Sequence, residues 1–183
     1  MDVLDFADAI AWESWLAAQH DVRGEAWLRI AKRHSGLPSI TIVDALDVAL
    51  CHGWIDGQRR GLDDVSFLQR YSRRRPRSSW SQVNVAKVEA LTAAGRMRPA
   101  GLAEVAAAKA DGRWEAAYEP QRTAAVPPDL TAALAGEPRA TAAFERLGRS
   151  ARYAVILPLL KARTPETRAK VLAQAIARLA AQE

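Results

Sequence analysis

The chain has one cysteine, two methionines and three histidines in 183 residues. A single Cys51 excludes an intrachain disulfide and suits a reducing compartment. His20, His34 and His52 share no metal-ligand spacing with one another or with Cys51, so no metal is expected. The longest apolar run, Tyr153 to Leu160, is far shorter than the roughly 20 residues that a membrane span needs. Asp2, Asp5 and Asp8 occupy the stretch where a secretory leader carries basic residues and then an apolar core, so the expected location is the cytoplasm. No P-loop, Rossmann glycine pattern or G-x-S-x-G is present, and no cofactor is expected.

What is abundant is arginine, and it is clustered. Seven arginines fall between Arg59 and Arg77, in a chain of formal net charge +5. Aromatics are unevenly spread too. All six tryptophans lie at or before Trp114, and the rest of the chain is rich in alanine. That shift divides the chain into an N-terminal part over 1–118, a connector over 119–128 bounded by Pro120 and Pro127-Pro128, and a C-terminal part over 129–183.

Periodicity gives the N-terminal part mixed structure. A helix is expected over 6–19, a strand over 25–32, and a second helix capped by Ser39 or Thr41 and ended by Gly53. Trp54-Ile55-Asp56 reads as a short strand, 57–64 as turn-rich, and 66–73 as a third strand. Ser79-Trp80-Ser81-Gln82 has capping-box spacing ahead of a helix that ends at Gly95, and Pro99 opens another that stops at Gly112. Helices are expected over 128–135, 137–147 and 150–162. A last one is capped by Thr164, with Pro165 and Glu166 in its first turn. The fold class is α+β: a small antiparallel sheet of about three strands with helices, followed by an all-helical part.

The candidate site lies where the arginines meet a helix start. Arg70, Arg73, Arg74, Arg75 and Arg77 precede a helix whose first amides lack partners, an arrangement suited to anions. Guanidinium forks match carboxylate and phosphate oxygens two at a time. No folding requirement visible in the sequence accounts for so dense a cationic segment. The alternative is a solvated run whose stems cover apolar surface. Asp56, within Gly53-Trp54-Ile55-Asp56-Gly57, is either a general base or an anchor for an arginine on the next strand. Asn84 either orients a ligand or ties its helix to a loop. Trp54 and Trp80 would wall the groove, and Ser79 and Ser81 would edge it. Cys51-His52 is a weak thiolate–imidazole pair, because neighbouring helix positions point apart. Arginine with tryptophan also fits single-stranded nucleic acid, although most of the tryptophans fall on apolar stripes.

These residues carry a family resemblance. The run Ala49 to Gly57, Gln69-Arg70, Arg73 to Ser81 with Asn84, and Gly95-Arg96-Met97 with Pro99-Ala100-Gly101 resemble the YdeI/OmpD-associated (bacteriocin-protection) family. Trp15-Leu16, Trp27-Leu28, Gly112-Arg113-Trp114, Pro128-Asp129-Leu130, Lys161 and Glu166-Thr167-Arg168 extend the likeness along the chain. The resemblance implies an α+β part followed by a helical one, tolerance of cationic antimicrobial peptides, and association with an outer-membrane porin. It brings no catalytic residues. Ser78 departs from the lysine often found there. The family is sometimes described as periplasmic, whereas this chain shows no export signal.

Together these readings imply a non-enzymatic protein linked to envelope or peptide stress, binding an anionic small molecule or an acidic protein surface. The other readings are an enzyme acting on a small anionic metabolite with Asp56 as base, and a nucleic-acid binder. Whether the chain self-associates is not legible from its apolar stripes.

Overall fold

The computed structural model describes residues 2–181. The described chain forms two compact units, one comprising residues up to Trp80 with Asn84–Ala116, the other Ser81–Val83 with the chain from Ala117 onward.

The first unit is built on a four-stranded sheet. Strands β1 (Val3–Asp5), β2 (Glu25–Ala31), β3 (Trp54–Gly61) and β4 (Ser66–Arg73) lie in the order β1-β2-β4-β3. β1 pairs parallel to β2, and the other pairs are antiparallel. The sheet is therefore mixed, with one strand more than expected. β3 is also longer than Trp54-Ile55-Asp56, because β4 offers a ladder that carries the chain on through Arg59 to Gly61 after a bulge at Asp56/Arg59. Gln69 fills that bulge, its amide donating to the Gly57 carbonyl at 3.0 Å and its Oε1 accepting from Arg59 at 3.2 Å.

Alternation sets the faces of the sheet. Ala26, Leu28 and Ile30 of β2 point into the core with Tyr71 of β4 and Trp54 of β3. Helices α1 (Ala9–Gln19) and α2 (Ile42–Cys51) close that face with Trp12, Leu16, Ala45, Val48 and Ala49. Asp8 caps α1 by accepting from the Ala11 amide at 2.9 Å, and Thr41 caps α2 through the Asp44 amide. Trp12 is fully buried and its indole N–H donates to the Ala45 carbonyl at 3.1 Å. Burying each such side chain contributes roughly 1.5–3 kcal/mol.

Helices α3 (Gln82–Ala93) and α4 (Pro99–Ala110) follow. Because α3 begins at Gln82, Ser79 stands outside its first turn, and the expected capping box is not formed. α4 approaches the end of α2 closely enough that a Cβ on Gly101 would meet the Cys51 carbonyl oxygen at 2.3 Å. The Arg98 amide donates to the same oxygen at 3.0 Å.

The second unit contains α5 (Pro128–Ala135), α6 (Pro138–Arg146), α7 (Arg149–Lys161) and α8 (Pro165–Ala180) around Leu130, Phe144, Ile156, Leu159 and Leu179. Thr164 caps α8 by accepting from the Thr167 amide. Arg168 grips Asp129 with two bonds, at 2.6 and 2.9 Å, and the pairing lowers the Asp129 pKa. Ser81 bridges to Tyr118 in this unit. Among the described residues no helix is long and apolar enough to cross a membrane.

Candidate functional site

The seven arginines divide according to what holds them. Arg59 and Arg60, on edge strand β3, lay their guanidiniums over aromatic rings, 4.5 Å from the centre of Phe67 and 4.7 Å from that of Trp27. Charge and a bulge on an outer strand also discourage pairing with another chain. Arg70 donates to Glu25 at 2.8 Å and holds that carboxylate's pKa below its ordinary value. Arg73 donates through Nε to the Arg23 carbonyl at 3.2 Å. Arg74 is buried, stacked 3.5 Å over Trp80, with Nη1 donating to the Ser79 carbonyl at 3.4 Å. Packing and pairing thus account for these five, which corrects the expectation that folding explains none of the cluster. Arg75 and Arg77 differ: they are exposed, and their side chains make no hydrogen bond or ion pair among the described residues.

Both sit on a turn fixed from below. The Ser78 amide donates to the Arg75 carbonyl at 3.0 Å, with Pro76 second and Arg77 third in the four-residue turn. Arg77 has φ 63°, the only positive φ outside glycine among the described residues. A type II turn wants proline second and a left-handed residue third, normally glycine. For a residue with a Cβ this conformation costs about 1–2 kcal/mol. Beneath the turn, the Arg74 amide donates to the Gly53 carbonyl. Arg113, itself buried, donates to the Ser78 carbonyl at 3.1 Å while Asp111 holds its Nε.

The remaining candidates are more scattered. Trp54 is wholly buried, edge-on to Trp12 and Trp15, and its indole N–H donates to the His20 carbonyl. Trp80 is buried between Arg74 and Trp114. Asp56 is open to solvent and opposite Tyr71 in the ladder. Although the residue as a whole is exposed, packing around its carboxyl raises its pKa, while a hydrogen bond from its own backbone amide, then Arg74 and Arg59 through space, act the other way. Asp56 makes no ion pair among the described residues. Ser79 and Asn84 are half-buried, and Ser81 falls in the second unit. Cys51 is buried, which raises its pKa and keeps it a thiol.

Sequence reasoning passed over a cleft in the first unit. His20 and His52 lie with ring centres 5.5 Å apart. They line a cavity of about 610 Å³ with Glu13, Arg98, Pro99 and Ala100, and another of about 230 Å³ with Gly53, Trp54, Arg73 and Arg74. His20 and His52 are thirty-two positions apart in the chain, so spacing gives no signal. The pair of glycines Gly53 and Gly101, which let α4 meet the end of α2, is the only hint the sequence holds.

Residues 4–104 match the family model described as a domain of unknown function (DUF8412), over half of the chain. The chain belongs to that family. Residues 123–182 match the model of the family described as bacteriocin-protection, YdeI or OmpD-associated. The resemblance drawn from the sequence is thus borne out in the helical region. The segments from Ala49 to Gly57 and from Arg73 to Ser81, which helped to carry it, fall instead within the DUF8412 match. No curated protein and no solved structure matches the chain significantly. The DUF8412 region contains both the arginine turn and the histidine cleft, and the OmpD-associated region contains α5 to α8.

Proposed function

We propose that this is a non-enzymatic binding protein whose Arg75 and Arg77 engage an acidic surface on a partner protein. The role follows the OmpD-associated region: tolerance of bacteriocins or related stress at the envelope. The observation carrying the reading is the conformation of Arg77. A position that glycine would fill without strain holds an arginine, on a turn anchored by two buried arginines. Strain kept at an exposed position argues for a use of the side chain itself. Arg75, Pro76 and Arg77 are all exposed, which suits an extended acidic patch better than a pocketed metabolite. Exposed charges of this kind set orientation and encounter rate more than affinity.

A fluorescently labelled oligoglutamate peptide serves as the probe. The wild type should bind it weakly and in a salt-sensitive way, and the Arg75→Ala/Arg77→Ala pair should weaken binding by about tenfold or more. Unchanged affinity in the double variant would end this reading. Equal or tighter binding of an oligonucleotide, steeply weakened by salt, would transfer it to nucleic acid. Cells expressing the double variant should also lose any survival advantage that the wild type confers against a bacteriocin.

A further inference from the structure

We propose that protonation of His52 lifts the start of α4 off the end of α2, so that this contact is an acid-opened latch over Cys51. The residues Cys51, His52 and Gly53 leave α2 packed against the start of α4. On one side of His52, the Cys51 carbonyl accepts from the Arg98 amide at 3.0 Å. Gly101 comes so near that a Cβ would lie 2.3 Å from the same oxygen. On the other side, a Cβ on Gly53 would lie 3.0 Å from the Ala100 carbonyl oxygen. Backbone thus meets backbone on both flanks, and little there can shift to make room. The imidazole between them is 5% exposed, and its Nε2 is enclosed without a hydrogen bond.

A neutral ring fits this enclosure and a charged one does not. The imidazolium carries an N–H on each nitrogen, so Nε2 becomes a buried cationic donor with no acceptor. Its surroundings are mostly positive. His20 of α1 faces it with ring centres 5.5 Å apart. Arg98 and the amide end of α4 line one cavity with it, and Arg73 and Arg74 line the other. Three carboxylates, Glu13, Asp21 and Glu104, line the same cavities. Glu13 is already engaged by Arg98 at 3.1 Å, and Asp21 and Glu104 share their cavity with the two arginines. The carbonyl end of α2 favours a cation, but its Ala49, Leu50 and Cys51 oxygens are taken by the His52, Gly53 and Arg98 amides. The charge is therefore relieved by water, which reaches Nε2 once α4 moves away. Burial, the first cause of the lowered His52 pKa, agrees in sign. Cys51 is itself 2% exposed, under the segment that leads into α4. The latch is separate from the Arg75/Arg77 turn and does not rest on the reading given for it.

The test is the labelling rate of Cys51 in the full chain by dithiodipyridine, divided by the rate for glutathione at the same pH. That quotient removes the thiol's own pH dependence and follows the open fraction. From about pH 7.5 to about pH 5.5 it should rise about five- to tenfold, roughly tenfold being the most that one proton of ordinary pKa about 6.5 supplies over that interval. Amide exchange over residues 96–103, corrected for intrinsic rate, should quicken alongside, while β2 and β4 stay protected. His52→Gln should make the quotient flat, and His20→Gln, at a less buried ring, should make it less steep. A wild-type quotient that does not change with pH would overturn the latch. A rise undiminished in both variants would take the role away from His52. Loss of protection in β2 and β4 together with residues 96–103 would show global unfolding in place of a local opening.

Discussion

At the residue scale the informative side chains are those whose surroundings disagree with their type. Arg74 is a buried cation made tolerable by an aromatic face, the Ser79 carbonyl and the Ser78 hydroxyl, and Trp54 is a tryptophan spent wholly on the core. Sequence alone does not separate a core tryptophan from one lining a site, because both fall on the same apolar stripe. For the same reason the arginines looked alike, although five of them have partners that only the fold reveals. His52 yields a pH prediction. Burial first, then His20 and Arg98, lower its pKa from the ordinary value of 6.5, with Glu13 opposing. The unfolded chain therefore takes up this proton at a higher pH than the folded one does. Stability is intact above about pH 6.5 and falls as pH drops below it, until the folded imidazole also titrates. Thermal melts between pH 7 and pH 5 should slope less steeply in His52→Gln than in the wild type. Parallel slopes would show that His52 is not the group responsible.

At the scale of elements, the legible features were those marked by local chemistry. Prolines and a threonine cap fix α5, α6 and α8, and the alternation of Ala26, Leu28 and Ile30 with Trp27, Arg29 and Ala31 marks β2. β1 was missed because three residues pair parallel to β2 with a helix between them, which leaves no hairpin signal. The far half of β3 read as a turn because Gly57, Gly61 and adjacent polar residues disfavour strands, yet the β4 ladder overrides that preference. The packing of α4 on α2 depends on Gly101, and its consequence is measurable. Gly101→Ala should lower stability by about 2 kcal/mol or more, since the Cys51 carbonyl lies where the new Cβ would go. It should also disturb the His52 ring resonances. A variant as stable as the wild type would mean that the two helices separate at little cost.

At the scale of the whole molecule, the chain joins a DUF8412 region carrying the charged features to an OmpD-associated helical region with its own apolar core. The α+β class was legible because composition changes sharply after Trp114. The cleft was not, since it depends on contacts between residues far apart in sequence. Net charge of +5 gives a general attraction to anions, but the central claim is narrower: one exposed turn is kept strained in order to present arginine. Its most direct test is Arg77→Gly, with stability and oligoglutamate affinity measured on the same preparations. Relief of the left-handed strain, less the extra freedom glycine gives the unfolded chain, should leave stability unchanged or raise it by up to about 1 kcal/mol. Affinity for the acidic peptide should fall several-fold in the same variant. Undiminished affinity, or a marked loss of stability, would contradict the account.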